Sequence, residues 1–324
     1  MSTPDKMQFC IPFLMKLVKA HQAKHQDDPD APPFFVGLNG IQGSGKTTLV
    51  STLQSTLSSP PYNLRTIAFS IDDIYLTHSD QQRLAAAHSS NPLLQHRGQP
   101  STHDIALGLK VFHSLRRNLP TKIPSYDKSA FNGQGDRAPD STWETVNDVG
   151  SSLDRVKIVI FEGWCVGFRP RPDAEIRSVW EATRKNMEQG NYHGQLGCVE
   201  LDNVITINHA LKEYDAITDQ LDAFIHLDAD SFHYAYDWRE QQEAALRASK
   251  GTGMTPKQVI KFVDGYFPSY ELFIPTLSKG VFKHSKDTYD GPWEEKQLRI
   301  VINKDRKPVL FTSEVRNEYT TAVA

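Results

Sequence analysis

Residues 40 to 47 read Gly40-Ile41-Gln42-Gly43-Ser44-Gly45-Lys46-Thr47, an instance of the pattern G-x-x-x-x-G-K-[ST]. Before it, Phe34, Phe35, Val36 and Leu38 make a short apolar run, introduced by Pro32 and Pro33. Such a run suits a strand buried in a parallel sheet. After it, Leu49, Leu53 and Leu57 recur at helical spacing. Strand, glycine-rich turn and helix in this order build a concave nest of backbone N–H groups, to which the helix adds its positive dipole end. A polyphosphate fits that nest. Lys46 can reach the β- and γ-phosphates, and the Thr47 hydroxyl is the expected Mg²⁺ ligand. Gln42, Ser44 and Thr48, with Gly40, Gly43 and Gly45, complete the set expected to line the nucleotide.

Working outward, the chain has 324 residues, 39% hydrophobic and 23% charged, with a formal charge of −3. This is ordinary globular composition, without the basic field that nucleic acid or an anionic membrane would require. Cys10, Cys165 and Cys198 are odd in number and far apart, so they form neither a disulfide framework nor a C-x-x-C metal site. A reducing compartment is expected, the cytoplasm with the nucleus open to it. No apolar run approaches the ~20 residues of a membrane span. The moderately apolar stretch from Phe9 to Val18 reads as a helix packed on the domain rather than a targeting segment.

Five runs read as buried strands: Phe34 to Leu38, Arg65 to Ile71, Val156 to Phe161, Ala223 to Leu227 and Leu298 to Ile302. Their lack of strict alternation is that of strands covered on both faces, and helical patterns lie between them. The expected fold is therefore α/β, a doubly wound parallel five-stranded sheet in one domain, with ligands at the carboxyl ends of the strands. Residues 78–155 are polar, turn-rich and too long for a simple crossover, and are read as an acceptor-binding insertion. Residues 231–250 read as a helical lid.

The strand ends carry the chemistry. Asp72 and Asp73 follow the second run. Asp72 is read as general base toward an attacking hydroxyl and as a water-mediated Mg²⁺ ligand, Asp73 as a supporting acid; the plain alternative is a pair of helix-capping residues. Glu162, closing the third run, has the character of a Walker B acid that holds the metal's hydration shell. Arg239, on the lid, is suited to charge developing on the transferring phosphoryl group. Within the insertion, Arg97, Lys128 and Arg137 could together receive an anionic acceptor, with Asp73, Tyr75 and Tyr126 beside them. His103 reads as a loop hydrogen-bonder rather than a catalyst.

Several segments taken together resemble the D-glycerate 3-kinase family. They are the phosphate loop; Ser70-Ile71-Asp72-Asp73-Ile74-Tyr75-Leu76; Arg97-Gly98-Gln99-Pro100-Ser101-Thr102-His103-Asp104; Tyr126-Asp127-Lys128-Ser129 with Gly135-Asp136-Arg137; and Phe161-Glu162-Gly163-Trp164 with Gly167-Phe168. The resemblance continues through Trp238-Arg239 and Phe267-Pro268-Ser269-Tyr270 to about Leu310. It implies ATP and Mg²⁺, and transfer of the γ-phosphoryl group to a hydroxyl of a small hydroxy acid, D-glycerate at its 3-hydroxyl. It also implies that residues Ile302 to Pro308, Asn303 and Lys307 among them, flank the adenine. Two alternatives remain at this point: the same chemistry on a nucleoside, pantothenate or another sugar acid, or a regulatory ATPase without a small-molecule acceptor. Guanine specificity is not supported, because Asn303-Lys304-Asp305 puts the acid one position early for Asn-Lys-x-Asp.

Overall fold

The computed structural model describes residues 5–26, 28, 30–148, 155–282 and 293–309. The chain opens with α1 (Met7–Lys24), then β1 (Phe34–Gly40), the phosphate loop, α2 (Lys46–Ser58) and β2 (Thr66–Ser70). The segment read as an insertion carries α3 (His78–Ala87), α4 (Ile105–Arg116) and four short strands, β3 (Thr121–Ile123), β4 (Tyr126–Asp127), β5 (Asp136–Arg137) and β6 (Glu144–Val146). There follow β7 (Ile158–Gly163), α5 (Asp173–Glu188), α6 (Leu201–Thr218) and β8 (Ala223–Ala229). Last come α7 (Tyr234–Lys250), α8 (Pro256–Asp264), α9 (Phe267–Leu277) and β9 (Gln297–Ile302).

The central sheet has five strands in the order β2-β7-β1-β8-β9, every pairing parallel. All seven residues of β1 and of β8 are buried. Successive side chains point to opposite faces, so both faces of the sheet are covered, as the unbroken apolar runs imply. Phe112 of α4 stacks on Phe35 and meets Phe69 and Phe161 edge-on, which fixes the insertion's longer helix against β1, β2 and β7. Among the described residues no helix is long and apolar enough to cross a membrane.

Three boundaries differ from those read in sequence. The third strand runs on to Gly163, because its ladder to β1 continues through Leu38↔Glu162 and Asn39↔Gly163; Glu162 is therefore inside the strand, not beyond it. Asp228 likewise lies within β8, where Arg299 of the neighbouring strand donates to it at 2.7 Å. The N-terminal helix is longer than Phe9 to Val18, and it buries Cys10, Phe13, Leu14 and Val18. The described part of the segment read as an insertion carries two helices and two antiparallel ribbons, β3 with β6 and β4 with β5.

Candidate active site

The register of the sheet decides what meets at its carboxyl edge. Ser70 of β2 pairs with Glu162 of β7, which pairs with Leu38 of β1, two residues before Gly40. The phosphate loop, Glu162 and the Asp72 turn are thus neighbours on one edge, at the point where strand order reverses around β1.

The loop closes as its glycines allow. Gly43 and Gly45 have φ of +77° and +89°, and a Cβ on Gly43 would stand 2.3 Å from Cβ of Trp238 on α7. That helix therefore packs directly on the loop. Lys46 starts α2 and donates to the loop's own carbonyls, Gly40 O at 2.8 Å and Ile41 O at 3.2 Å. Burial lowers its ammonium from the usual range, with Glu162 and Asp72 pulling the other way. Thr47 and Thr48 are exposed at the helix start. The Ser44 Oγ and Gln42 Oε1 atoms are buried without a partner among the described residues, while the Gln42 N–H donates to the Tyr270 hydroxyl at 3.4 Å.

Asp72 and Asp73 sit in a single 3₁₀ turn, Ile71–Ile74. Ser70 and Asp73 form a capping box: the Ser70 N–H donates to Asp73 Oδ2 at 2.8 Å, and the Ser70 hydroxyl accepts from the Asp72 N–H at 3.2 Å. The capping alternative thus describes Asp73, whose carboxylate turns back on the chain and frees its neighbour. Burial, reinforced by the charge of Asp72, raises Asp73 to about 6 against the Ser70 hydrogen bond. Burial would raise Asp72 too, but the Lys128 ammonium at 2.6 Å and hydrogen bonds from Lys128 and Tyr75 hold it below the usual carboxylate range. Glu162 is pushed up by burial, with Lys46 opposing. One edge of the sheet therefore carries an ionised, lysine-paired carboxylate and a second carboxyl that favours a nearby cation.

The insertion's basic residues are engaged differently from one another. Lys128 is brought onto Asp72 across 56 residues of chain. Arg97 donates to the carbonyls of Gly133, at 2.8 Å, and Gln134, and lies 5.6 Å from the centre of the Tyr126 ring. Its guanidinium thus braces the turn after β4. Arg137 donates to the Tyr75 carbonyl at 2.9 Å and to Asp104 Oδ2 at 3.0 Å. In this arrangement the guanidinium donors hold the insertion to the sheet edge. Tyr75 and Tyr126 meet edge-on with centroids 5.2 Å apart, and His103 stacks on the other ring neighbour of that pair, Tyr75, at 4.5 Å.

On α7, Arg239 donates to Glu243 at 2.6 Å and lies over the Phe262 ring, so it joins α7 to α8. Asn303 makes a turn: its side-chain oxygen accepts the N–H groups of Asp305 and Lys307, each at 3.0 Å. Two residues here have a place at the phosphate loop that the sequence reading did not give them. Arg306, at the end of that turn, donates to the Gly43 carbonyl at 2.6 Å and lies over the Trp238 ring, whose indole N–H donates to Lys304 O at 2.7 Å. Nothing local marks either residue as part of the phosphate loop; their role exists only through packing.

A parallel α/β sheet with this loop at its switch point, a strand-edge acid and a structured insertion over the same edge defines a phosphate-loop kinase. No protein-family model matches the chain. It is 35% identical over 288 residues to the uncharacterized kinase mug58 of Schizosaccharomyces pombe, spanning 88% of this chain and 94% of that one. It is 32% identical over 300 residues to the chloroplastic D-glycerate 3-kinase of Arabidopsis thaliana, spanning 90% of this chain and 58% of that longer protein. The solved structure of D-glycerate 3-kinase from Cryptococcus neoformans var. grubii superposes with a TM-score of 0.80 at 31% identity, over 95% of this chain and 98% of that one. The chain belongs to the D-glycerate 3-kinase family and is an ATP-dependent kinase with a hydroxyl group as acceptor.

Proposed function

We propose that this chain transfers the γ-phosphoryl group of ATP to the 3-hydroxyl of D-glycerate, giving 3-phosphoglycerate and ADP. The observation that carries this reading is the Lys128–Asp72 pair, 2.6 Å apart, at the same sheet edge as the phosphate loop. A small hydroxy acid brings two groups that match it: a carboxylate for Lys128 and a hydroxyl for Asp72. An incoming carboxylate shares the donors of the Lys128 ammonium, which stays beside Asp72 and keeps that carboxylate ionised and able to accept the hydroxyl proton. The hydroxyl oxygen then forms its bond to the γ-phosphorus as the bond to ADP breaks. Lys46 moves from the Gly40 and Ile41 carbonyls to the β- and γ-phosphates and follows the developing charge. Asp73, through its cap on Ser70, fixes the turn that aims Asp72.

The Thr47 hydroxyl, Glu162 and Asp72 fit Mg²⁺, which needs few protein ligands when phosphates and water supply the rest. The burial that raises Glu162 is relieved by a cation beside it. When bound, the ion neutralises charge on the phosphate oxygens. Asn303 and Lys307 act on the nucleotide side, Asn303 by holding the turn from which Arg306 reaches the loop. Arg97, Arg137, Tyr75 and Tyr126 shape the acceptor side, and Arg239 steadies α7 over the loop.

Purified protein with Mg-ATP should release ADP only when D-glycerate is added, and a panel of other hydroxy acids, nucleosides and pantothenate should give little. Absence of glycerate-dependent ADP, or turnover without any acceptor, would remove the proposal.

A further inference from the structure

Helix α1 precedes the first strand, yet it is firmly part of the body: Cys10, Phe13, Leu14 and Val18 are each no more than 3% exposed. It packs on α2, the helix that follows the phosphate loop, and on β8, the strand beside β1. Its N-cap residue is Lys6. The Lys6 ammonium ends 4.0 Å from where a Cβ on Gly45 would stand, and Cδ of Arg306 lies 3.7 Å from the same point. Two cationic side chains, from opposite ends of the described chain, therefore bracket the last glycine of the loop.

They are not equivalent. Arg306 is already engaged, with the Gly43 carbonyl at 2.6 Å and Gln241 at 3.0 Å. For Lys6, no carboxylate within ion-pair distance is found among the described residues. Burial disfavours its charge; Asp5 and Cys10 offset that in part, and Arg306 adds a smaller disfavouring contribution. A partly desolvated cation is stabilised by an anion placed beside it, and the neighbouring loop's N–H groups are arranged to hold one.

We propose that Lys6 is a nucleotide-binding residue: its ammonium donates to a phosphate oxygen of the nucleotide seated in the Gly40–Thr47 loop, so the N-terminal helix completes the donor site. This rests on the assignment of that loop to the nucleotide.

The test is titration of ADP, by calorimetry, into the full-length wild type, Lys6→Ala, Lys6→Arg and Lys46→Ala. Lys6→Ala is expected to weaken ADP about tenfold, the value of one charge-assisted contact, with Lys6→Arg within roughly threefold of wild type. The Lys6→Ala deficit should shrink as salt is raised, since the contact is at the loop's mouth. Wild-type affinity in Lys6→Ala, with Lys46→Ala impaired, overturns the role of Lys6 and leaves the loop assignment intact. Failure of the wild type to bind ADP overturns the loop assignment and this inference with it. A deficit that Lys6→Arg does not restore, with a matching fall in melting temperature, assigns Lys6 to helix packing and also overturns it.

Discussion

His103 offers a measurable consequence of how the insertion is packed. It is 5% exposed, stacked on Tyr75, with Nδ1 2.6 Å from the Tyr214 hydroxyl. That hydroxyl also accepts the Ser101 N–H at 3.1 Å, and its bond to His103 is available to the neutral ring in either tautomer. Burial lowers His103 to about 4, although the Asp72 charge pulls upward. A histidine depressed in the folded state and ordinary, near 6.5, when unfolded contributes stability that is complete above 6.5 and is lost as pH falls toward 4. Over that window the unfolded chain takes up the proton and the folded one does not. The linkage gives a loss of about 2 kcal/mol between pH 7.5 and 5, or roughly 3 °C of melting temperature for a chain of this length. Other groups titrate in the same range, so the comparison is between wild type and His103→Gln, melted at pH 7.5, 6.5, 5.5 and 5. The variant loses the Tyr214 hydrogen bond and starts lower at neutral pH. The gap should then narrow by about 3 °C on acidification, because only the wild type carries this histidine. Parallel curves would show that His103 is solvated or charged in the native protein and would refute the argument.

Asp72→Asn should lower kcat by about 10² to 10⁴ while ADP affinity moves less than about threefold, as for a base that acts on the acceptor; a pure affinity loss in steady-state and binding assays would make it a nucleotide or metal positioner. Lys128→Met removes the charge that holds the Asp72 carboxyl down, so the acidic limb of the kcat/KM profile should move to higher pH and the KM for glycerate should rise; an unmoved limb would separate Asp72 from the profile. Gly43→Ala meets both a φ of +77° and Trp238 Cβ at 2.3 Å, and should cost about 2 kcal/mol in stability together with most nucleotide affinity; wild-type melting and binding would contradict the packing of α7 on the loop.

The sheet was legible because strands covered on both faces need continuous apolar residues, and the five runs from Phe34 to Ile302 carry that signature. Their ends were not, since a ladder stops where its partner stops: Glu162 belongs to β7 only because Leu38 and Ser70 lie beside it. The phosphate loop could be read outright, because its backbone conformation is written in the glycines, and Gly43 and Gly45 take the positive φ that the turn requires. The pair Asp72 and Asp73 could be found but not told apart; the capping box with Ser70, a matter of a few side-chain torsions, turns one inward and presents the other.

What the sequence alone determined is therefore the α/β class and the phosphate loop between β1 and α2, both set by local pattern within a few dozen residues. The tertiary structure alone decided which of three basic residues in the insertion reaches Asp72, for Arg97, Lys128 and Arg137 are equal as charges. Backbone carbonyls and Asp104 occupy the two arginines, and Lys128 takes the carboxylate. It also decided that Trp238, Arg306 and Lys6 converge on one loop from α7, the last turn and the first helix. Such convergence has no sequence signature, because it depends on how distant helices pack and not on the spacing of residues within any one of them.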